Sequence, residues 1–479
     1  MSEVAAPLPR FPTTGSLLLA AAAGAFAIAV GVGAGDPGSG MLVPVAVVLG
    51  LGVVGGVSVR PFAGLLVLAF SVFFLMIVPV SGTGRSANLS DVVMVPLVVA
   101  SLFGAVRGEA RARDALETGP AHEAVRFASS RFARSVLVYF GLAALSLLPM
   151  AIRLGAGPAF ASGLSLSRAV QGALLFPLGL LWLRDGKRID ATLRTVVAAG
   201  CLFVLVNGIF VLGYGVKRAG LTWSVSDLVE PIGGPNEGAA GLVVLWALLR
   251  ARQGVRSSRL HLLLMGAILV LLPLTQSRSG LLAFATFLLL SVRHLRWRWV
   301  LGGVLLLLAA LPLVPAQYWD RLVRSLTFHR GSFEVFSFLI RVYGYQTAWR
   351  VFLDNPVIGV GYLGFRFVST RYNEFRLVIG QVENYLLETL VGLGVVGLAF
   401  LGVAFARLFA LGRAVRQVAP PGTFAHEMGR LHTPLMVALL VANLTGDNFV
   451  GLVAVGQVAL WCVLLVRAGH LAISDAETP

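Results

Sequence analysis

Charge is the scarcest property of this sequence. Only 13% of its 479 residues are Asp, Glu, Lys or Arg, about half the share in an ordinary soluble domain. Mean hydropathy is +0.86, and 57% of residues are hydrophobic. That combination excludes disordered and coiled-coil chains, which need charge and polar surface. Cysteine is as rare. Cys201 and Cys462 are the two present, each inside an apolar run, too few for a disulfide framework or a zinc site. The seven histidines (His122, His261, His294, His329, His426, His432 and His470) show no metal-binding spacing. Lysine is nearly missing, 2 residues against 36 arginines, a bias that genome composition alone can produce.

Apolar sequence is what remains. At about 25–35 residues per span with its loop, this length predicts about a dozen transmembrane helices. Breaks at Gly, Pro and Arg give fourteen candidates, near 16–34, 41–59, 62–80, 90–106, 135–152, 166–183, 192–213, 235–250, 260–276, 279–293, 299–316, 383–410, 431–446 and 449–466. The fold class is an all-α polytopic membrane protein. The first run lacks a small-residue cleavage site and reads as a retained helix, not a cleaved signal. A net charge of +16 and pI near 11.1 point to nucleic acid in a soluble protein. Here the arginines stand between apolar runs, so topology is the first explanation and no nucleic acid is expected. With the N-terminus in the cytoplasm, alternation puts 24 of 38 basic residues on the inner side, as positive-inside bias requires. An even helix count returns the C-terminus to the cytoplasm.

The chain divides into helices over 1–200, helices with boundary arginines over 201–316, a long outer loop over 317–382, and C-terminal helices over 383–479. The inner segment 107–134 mixes arginine with Glu109, Asp114, Glu117 and Glu123 and is expected to form a surface helix. The outer loop lies between the eleventh and twelfth spans. Loops this long are functional or disordered, and the aromatic and branched residues of this one let it pack. Arg341, Tyr345 and Trp349 fall on one helical face, with Phe338, Ala348 and Phe352 nearby. The spacing predicts an amphipathic helix at the membrane surface, ended by Pro356. Gly359, Gly361 and Gly364 follow as a glycine-rich turn without the strand–helix context of a nucleotide site. Eight arginines against Asp320, Glu334, Asp354 and Glu374 give the loop a charge of +4. An anionic ligand and a solvated charged face both fit that excess.

Charges at a membrane boundary carry more information because they are costly there. Arg278 sits in the hairpin Thr275-Gln-Ser-Arg-Ser-Gly280, Lys217 and Arg218 follow the seventh span, and Arg168 starts the sixth. Guanidinium binds phosphate in bidentate fashion, so two or three converging arginines hold a diphosphate without a metal. The alternative is snorkelling to lipid headgroups. Glu383 stands at the outer start of the twelfth span. It reads either as a general base beside the arginines or as an N-terminal helix cap that also opposes the dipole. Asn236, Asn384 and Tyr345 are supporting polar residues, with Asn236 and Glu237 equally readable as the cap of the eighth span. Gly392, Gly394 and Gly397 predict close helix packing. No repeat of fixed period, paired inverted repeat or broken helix is visible, which weighs against a transporter.

The ordered set of pieces resembles the O-antigen ligase and polymerase superfamily, the Wzy-type bacterial polysaccharide polymerases and their lipid A-core ligase relatives. The pieces are Gly-Pro-Asn at 234–236, Thr-Gln-Ser-Arg-Ser-Gly at 275–280, and the long loop with Arg341. Asp-Asn-Pro-Val-Ile-Gly-Val-Gly at 354–361, Glu-Asn-Tyr-Leu at 383–386 and Gly-Leu-Gly-Val-Val-Gly at 392–397 complete it. The resemblance covers roughly 200–465; residues 1–200 carry no recognised motif. Ligases of the family have a His, then Asn, Ser or Gln, nine residues, and Gly-x-x-Gly. Here that register reads Glu383, Asn384, nine residues, and Gly394-Val-Val-Gly397. The replaced histidine favours a polymerase over a ligase.

The resemblance implies a GT-C-like membrane glycosyltransferase without metal or other cofactor. Its donor and acceptor are undecaprenyl-diphosphate-linked glycans (O-antigen, exopolysaccharide or capsule), joined on the periplasmic side of the inner membrane. The expected partners are membrane lipid, a flippase and a chain-length regulator. Glu383 is the expected catalytic base, and Arg278, Arg341, Lys217, Arg218 and Arg168 are the expected diphosphate ligands.

Overall fold

The structure, a computed structural model, describes residues 57, 60–73, 75–80, 85–106, 119–209, 222–224, 235–291, 333–374, 378–444, 446, 449 and 452–477. The expected spans near 16–34 and 299–316, nearly all of 41–59, and Lys217 and Arg218 lie outside those residues.

The described chain is overwhelmingly helical. Helix α1 (Pro61–Ser71) has proline in its first turn, where no N–H is needed. The reading of 62–80 as one span does not hold. Helix stops at Ser71 and strand β1 runs over Leu75–Val80. Pro79 cannot serve a helix interior, and Ile77 and Val78 favour extended backbone. Strands β2 (Arg85–Asn88) and β3 (Thr222–Ser224) flank β1 in the order β2-β1-β3. The β1–β2 pair is antiparallel, with Ile77 opposite Asn88, and the β1–β3 pair is parallel, with Leu75 opposite Thr222.

Helix α2 covers Leu89–Val106, α3 Pro120–Leu145 and α4 Leu147–Leu154. Of the expected surface helix over 107–134, residues 120–134 belong to a longer helix, and 107–118 lie outside the described residues. Gly119, at φ 117, and Pro120 start a helix that runs unbroken from 120 into the expected fifth span. Helix α5 (Ala156–Trp182) follows a turn at Gly155, and α6 (Gly186–Gly208) is capped by Asp185, which accepts from Arg188 N at 2.8 Å. Then come α7 (Pro235–Gln253), α8 (Arg259–Leu274), α9 (Arg278–Ser291), α10 (Phe333–Asp354) and α11 (Phe365–Tyr372). Helices α12 (Tyr385–Val418), α13 (Phe424–Leu444) and α14 (Leu452–Glu477) complete the described chain. Five segments among the described residues are long and apolar enough to cross a membrane: Pro120–Leu154, Ala156–Trp182, Gly186–Gly208, Tyr385–Val418 and Leu452–Ala476.

Helix α14 is the centre of the bundle. Its sequence is apolar all round, and Trp461, Cys462, Val463 and Leu464 are wholly buried, as a helix surrounded by others requires. Small residues set its approach to α5. A Cβ on Gly172 would meet Leu452 O at 2.6 Å, and one on Gly179 would meet Val463, so the two helices cross at backbone contact. The few polar residues of α14 complete neighbouring helix ends. Gln457 Nε2 donates to Val72 O at 2.8 Å after α1, and Arg467 Nε donates to Leu183 O at 2.7 Å after α5.

Helix α12 is broken. Gly394 has φ 66 and ψ −167, so the nominal helix is two pieces meeting at an unwound residue. The free backbone groups are taken up by the turn after α10. Val360 N donates to Val391 O (3.0 Å), Gly361 N to Gly392 O (2.9 Å), and Val395 N to Pro356 O (2.9 Å). Gly359 and Gly361, at φ 67 and 103, let this turn close against α12. A Cβ on Gly359 would stand 2.4 Å from the Gly392 backbone. The glycines read from sequence as helix-packing residues thus include one that interrupts a helix, and the absence of a broken helix in the sequence reading is corrected here.

Candidate active site

Asn384 starts α12. Its backbone is extended and its Oδ1 accepts from Leu387 N at 3.0 Å, which satisfies one of the helix's free N–H groups. Capping therefore falls to Asn384, and the cap reading of Glu383 is displaced. Glu383 sits outside the helix at φ 53, a left-handed conformation uncommon for a side chain of its size. Its neighbours hold it there. Glu388 Oε2, buried one turn into α12, accepts from Val382 N at 3.4 Å, and Tyr385 N donates to Gly446 O at 3.3 Å.

The turn aims the Glu383 carboxylate away from α12 and toward α10, where it accepts a hydrogen bond from Arg341 Nε. Both side chains are partly open to solvent, so the pair adds little to stability and its groups remain reachable. Tyr345 lies one turn further along α10, half-buried. Burial raises its hydroxyl pKa, the Arg341 charge opposes that shift, and Glu383 reinforces it. The structure thus unites three of the residues singled out in the sequence: Arg341, Tyr345 and Glu383. The predicted common face of α10 does not survive intact. Arg341 and Tyr345 are half-buried, Trp349 is exposed, and the packed face is Ala348 and Val351 against Val382 and Val391.

A second group joins the other two motifs. Asn236, in the first turn of α7, is bonded to a different helix and caps nothing visible. Ser277 Oγ donates to Asn236 Oδ1 at 2.6 Å and accepts from Gly280 N at 3.0 Å, which caps α9. A Cβ on Gly280 would meet the Ala239 Cβ at 2.1 Å, so α7 and α9 touch through their smallest residues. Gln276, at φ 52, makes the turn, and Arg278 is exposed at the start of α9. Arg168 is not at a helix start. Helix α5 begins at Ala156, and Arg168 lies partly buried twelve residues along it.

Sequence reasoning missed the contribution of α3 and α4. Tyr139 OH lies 2.9 Å from Tyr385 OH and 3.4 Å from Thr389 Oγ1. Ser146 Oγ accepts from Tyr362 N at 3.0 Å, and Met150 packs on Gly361. Arg153 donates to Asn355 Oδ1 at 3.4 Å. Arg153 had a legible signal, since it ends an apolar run as Arg168 and Arg278 border theirs. Tyr139 had none beyond being a tyrosine in an apolar helix. Another unforeseen contact joins α3 to α14: His122 Nδ1 and His470 Nδ1 are 2.8 Å apart, with the rings stacked. Among the described residues no three His, Cys, Asp or Glu side chains stand together as a metal ion needs.

Residues 262–402 match the family model described as O-antigen ligase, Wzy_C. That match supports the O-antigen ligase/polymerase superfamily. It encloses the Ser277 turn, Arg341, the 354–361 turn, Glu383 and the Gly394 break. The match and the apolar helices together point to a membrane protein related to a family of glycosyl-transfer enzymes. No curated protein matches the chain.

Proposed function

We propose that this chain polymerises undecaprenyl-diphosphate-linked oligosaccharide repeat units at the periplasmic face of the bacterial inner membrane. The observation that carries the reading is the contact of Glu383 with Arg341, at the register where superfamily ligases have histidine. In this reading the membrane helices form a GT-C-like arrangement, with the active site open to the periplasm.

The reaction needs three things from the protein: charge for the leaving diphosphate, a base for the acceptor, and a fixed geometry. On donor binding, the diphosphate oxygens take over Arg341 from Glu383, and Arg278 adds a second guanidinium. Lys217, Arg218 and Arg168 are the further candidate ligands for the diphosphate. The carboxylate set free then faces the acceptor hydroxyl. That oxygen attacks the anomeric carbon, the bond from carbon to phosphate oxygen breaks, and the diphosphate leaves with the electron pair. Glu383 takes the hydroxyl proton, and the anomeric centre inverts. Positive charge placed where the leaving group develops its own is worth about 10²–10³ in rate per contact.

The family description favours a second reading, transfer of the finished glycan to lipid A-core or another acceptor. Purified protein given lipid-linked repeat unit alone separates the two. The polymerase yields a ladder of chain lengths on the lipid carrier. A ligase leaves the single unit unchanged until a different acceptor is added, and that result would overturn the polymerase assignment.

A further inference from the structure

The segment after α10 reads in sequence as part of a periplasmic loop. Its hydrogen bonds place it elsewhere. Helix α12 has 34 residues, about 51 Å at 1.5 Å per residue, against a hydrocarbon core of about 30 Å. Residues 389–406 carry no charge, and Arg407 is the first one after them. Counting about 20 residues back from Arg407 sets the outer boundary near Leu387. The Gly394 break then lies about 10 Å inside it.

The turn over 356–361 is bonded to α12 at that break. Pro356 O and Val357 O accept from Val395 N and Val396 N, and Val360 and Gly361 donate to Val391 O and Gly392 O. Arg341, fifteen positions before Pro356, meets Glu383 above the start of α12. Helix α10 therefore descends beside the first piece of α12 and does not lie flat. Two further groups are satisfied within the segment, by Gly359 N to Asn355 O and Gly364 N to Gly361 O. Non-helical backbone at membrane depth has to meet that condition.

The outer edge of this segment is apolar. Trp349, Leu353 and Val357 follow at four-residue spacing, with Ile358 beside them, and each is more than half exposed. The ridge does not end at the loop. Val395, whose N–H bonds Pro356, is exposed on α12, and Phe400 and Val403 continue the exposed apolar surface down the span. A span's exposed apolar face is its lipid face, and the ridge is continuous with it. We propose that residues 353–364 are a re-entrant segment whose Leu353, Val357 and Ile358 edge is seated among the acyl chains of the outer leaflet.

Spin labels test the placement in the full chain reconstituted in lipid nanodiscs. Cys201 is replaced by alanine, and the buried Cys462 is kept, with the unlabelled parent as background. Single variants Leu353→Cys, Val357→Cys and Ile358→Cys are compared with Arg371→Cys and Glu374→Cys, at exposed polar sites on and just after α11. Each variant is checked for retained thermal stability. Collisions with oxygen should exceed those with a water-soluble nickel complex severalfold at 353, 357 and 358, and the order should reverse at 371 and 374. Nickel access at 357 and 358 equal to that at 371 would overturn the proposal. So would exclusion of both reagents, which would mean that protein, such as a second copy of the chain, covers the ridge.

Discussion

Helices α3 and α4 and the segment from α10 to α12 meet at one place, yet they use their sequence in opposite ways. In the second, the residues proposed to carry chemistry, Arg341 and Glu383, belong to motifs, as do the 354–361 turn and Gly394 that position them. In the first, apolar periodicity is all that shows, and 120–154 lies outside the matched segment 262–402. Even so, Tyr139, Ser146, Met150 and Arg153 each touch a motif residue or its immediate neighbour. The contrast separates two jobs. In the proposed function, the motif-bearing part supplies the reactive groups and the strained backbone that presents them. The other part fixes where that backbone sits, which any helix of the right shape and a few well-placed polar atoms can do.

If that division is right, effects on turnover should follow the motif residues, and α3–α4 changes should act through stability. The largest loss is expected at Arg341. Arg341→Ala should cut chain growth by about 10²–10³ at normal protein level, the scale of a lost transition-state donor. Lysine should restore little, lacking the bidentate fork. Gly394→Ala comes next. A Cβ there would stand 2.1 Å from Val357 O at a φ of +66, and left-handed strain alone costs about 1–3 kcal/mol. A lowered thermal midpoint in detergent is expected, with activity falling alongside it. Gly402, with nothing near its Cβ position, should accept alanine without loss.

Smaller effects belong to the α3–α4 side. Tyr139→Phe removes a buried hydroxyl from the Tyr385 and Thr389 contacts and should cost about 0.5–1.5 kcal/mol. A double-mutant cycle with Tyr385→Phe should show coupling of about 0.5 kcal/mol or more. Arg153→Ala should be the mildest, about 1 kcal/mol or less for an exposed contact. A hundredfold loss of turnover in Arg153→Ala at unchanged stability would break the division, because Arg153 would then be a ligand contact.

Much of this was legible from residue order. The helical class, the end of α10 before Pro356, and the choice of Arg341, Glu383 and Asn384 as candidates all rest on local chemistry: apolar runs, a missing N–H, charge at a boundary. What was not legible is what depends on distant backbone. Gly394 looks like any small residue in an apolar helix until the 356–361 turn supplies partners for its unwound neighbours. Asn236 looked like a cap because a helix starts there, and only the approach of α9 gives it Ser277. The run Leu75–Val80 is apolar enough for a span, and its exit from helix shows only when β2 and β3 pair with it.

Glu383 carries the account's central claim, that a carboxylate held outside its helix and paired with Arg341 accepts the acceptor proton. Initial rates of chain growth by purified Glu383→Gln, with lipid-linked repeat unit as donor and acceptor, test it most directly. Glutamine keeps the size and a hydrogen-bonding oxygen but does not take up a proton near neutral pH. The account predicts a loss of about 10²–10⁴ in rate, with donor binding and thermal stability unchanged and partial turnover in Glu383→His. Wild-type chain growth by the glutamine variant would contradict it and reduce Glu383 to an anchor for Arg341.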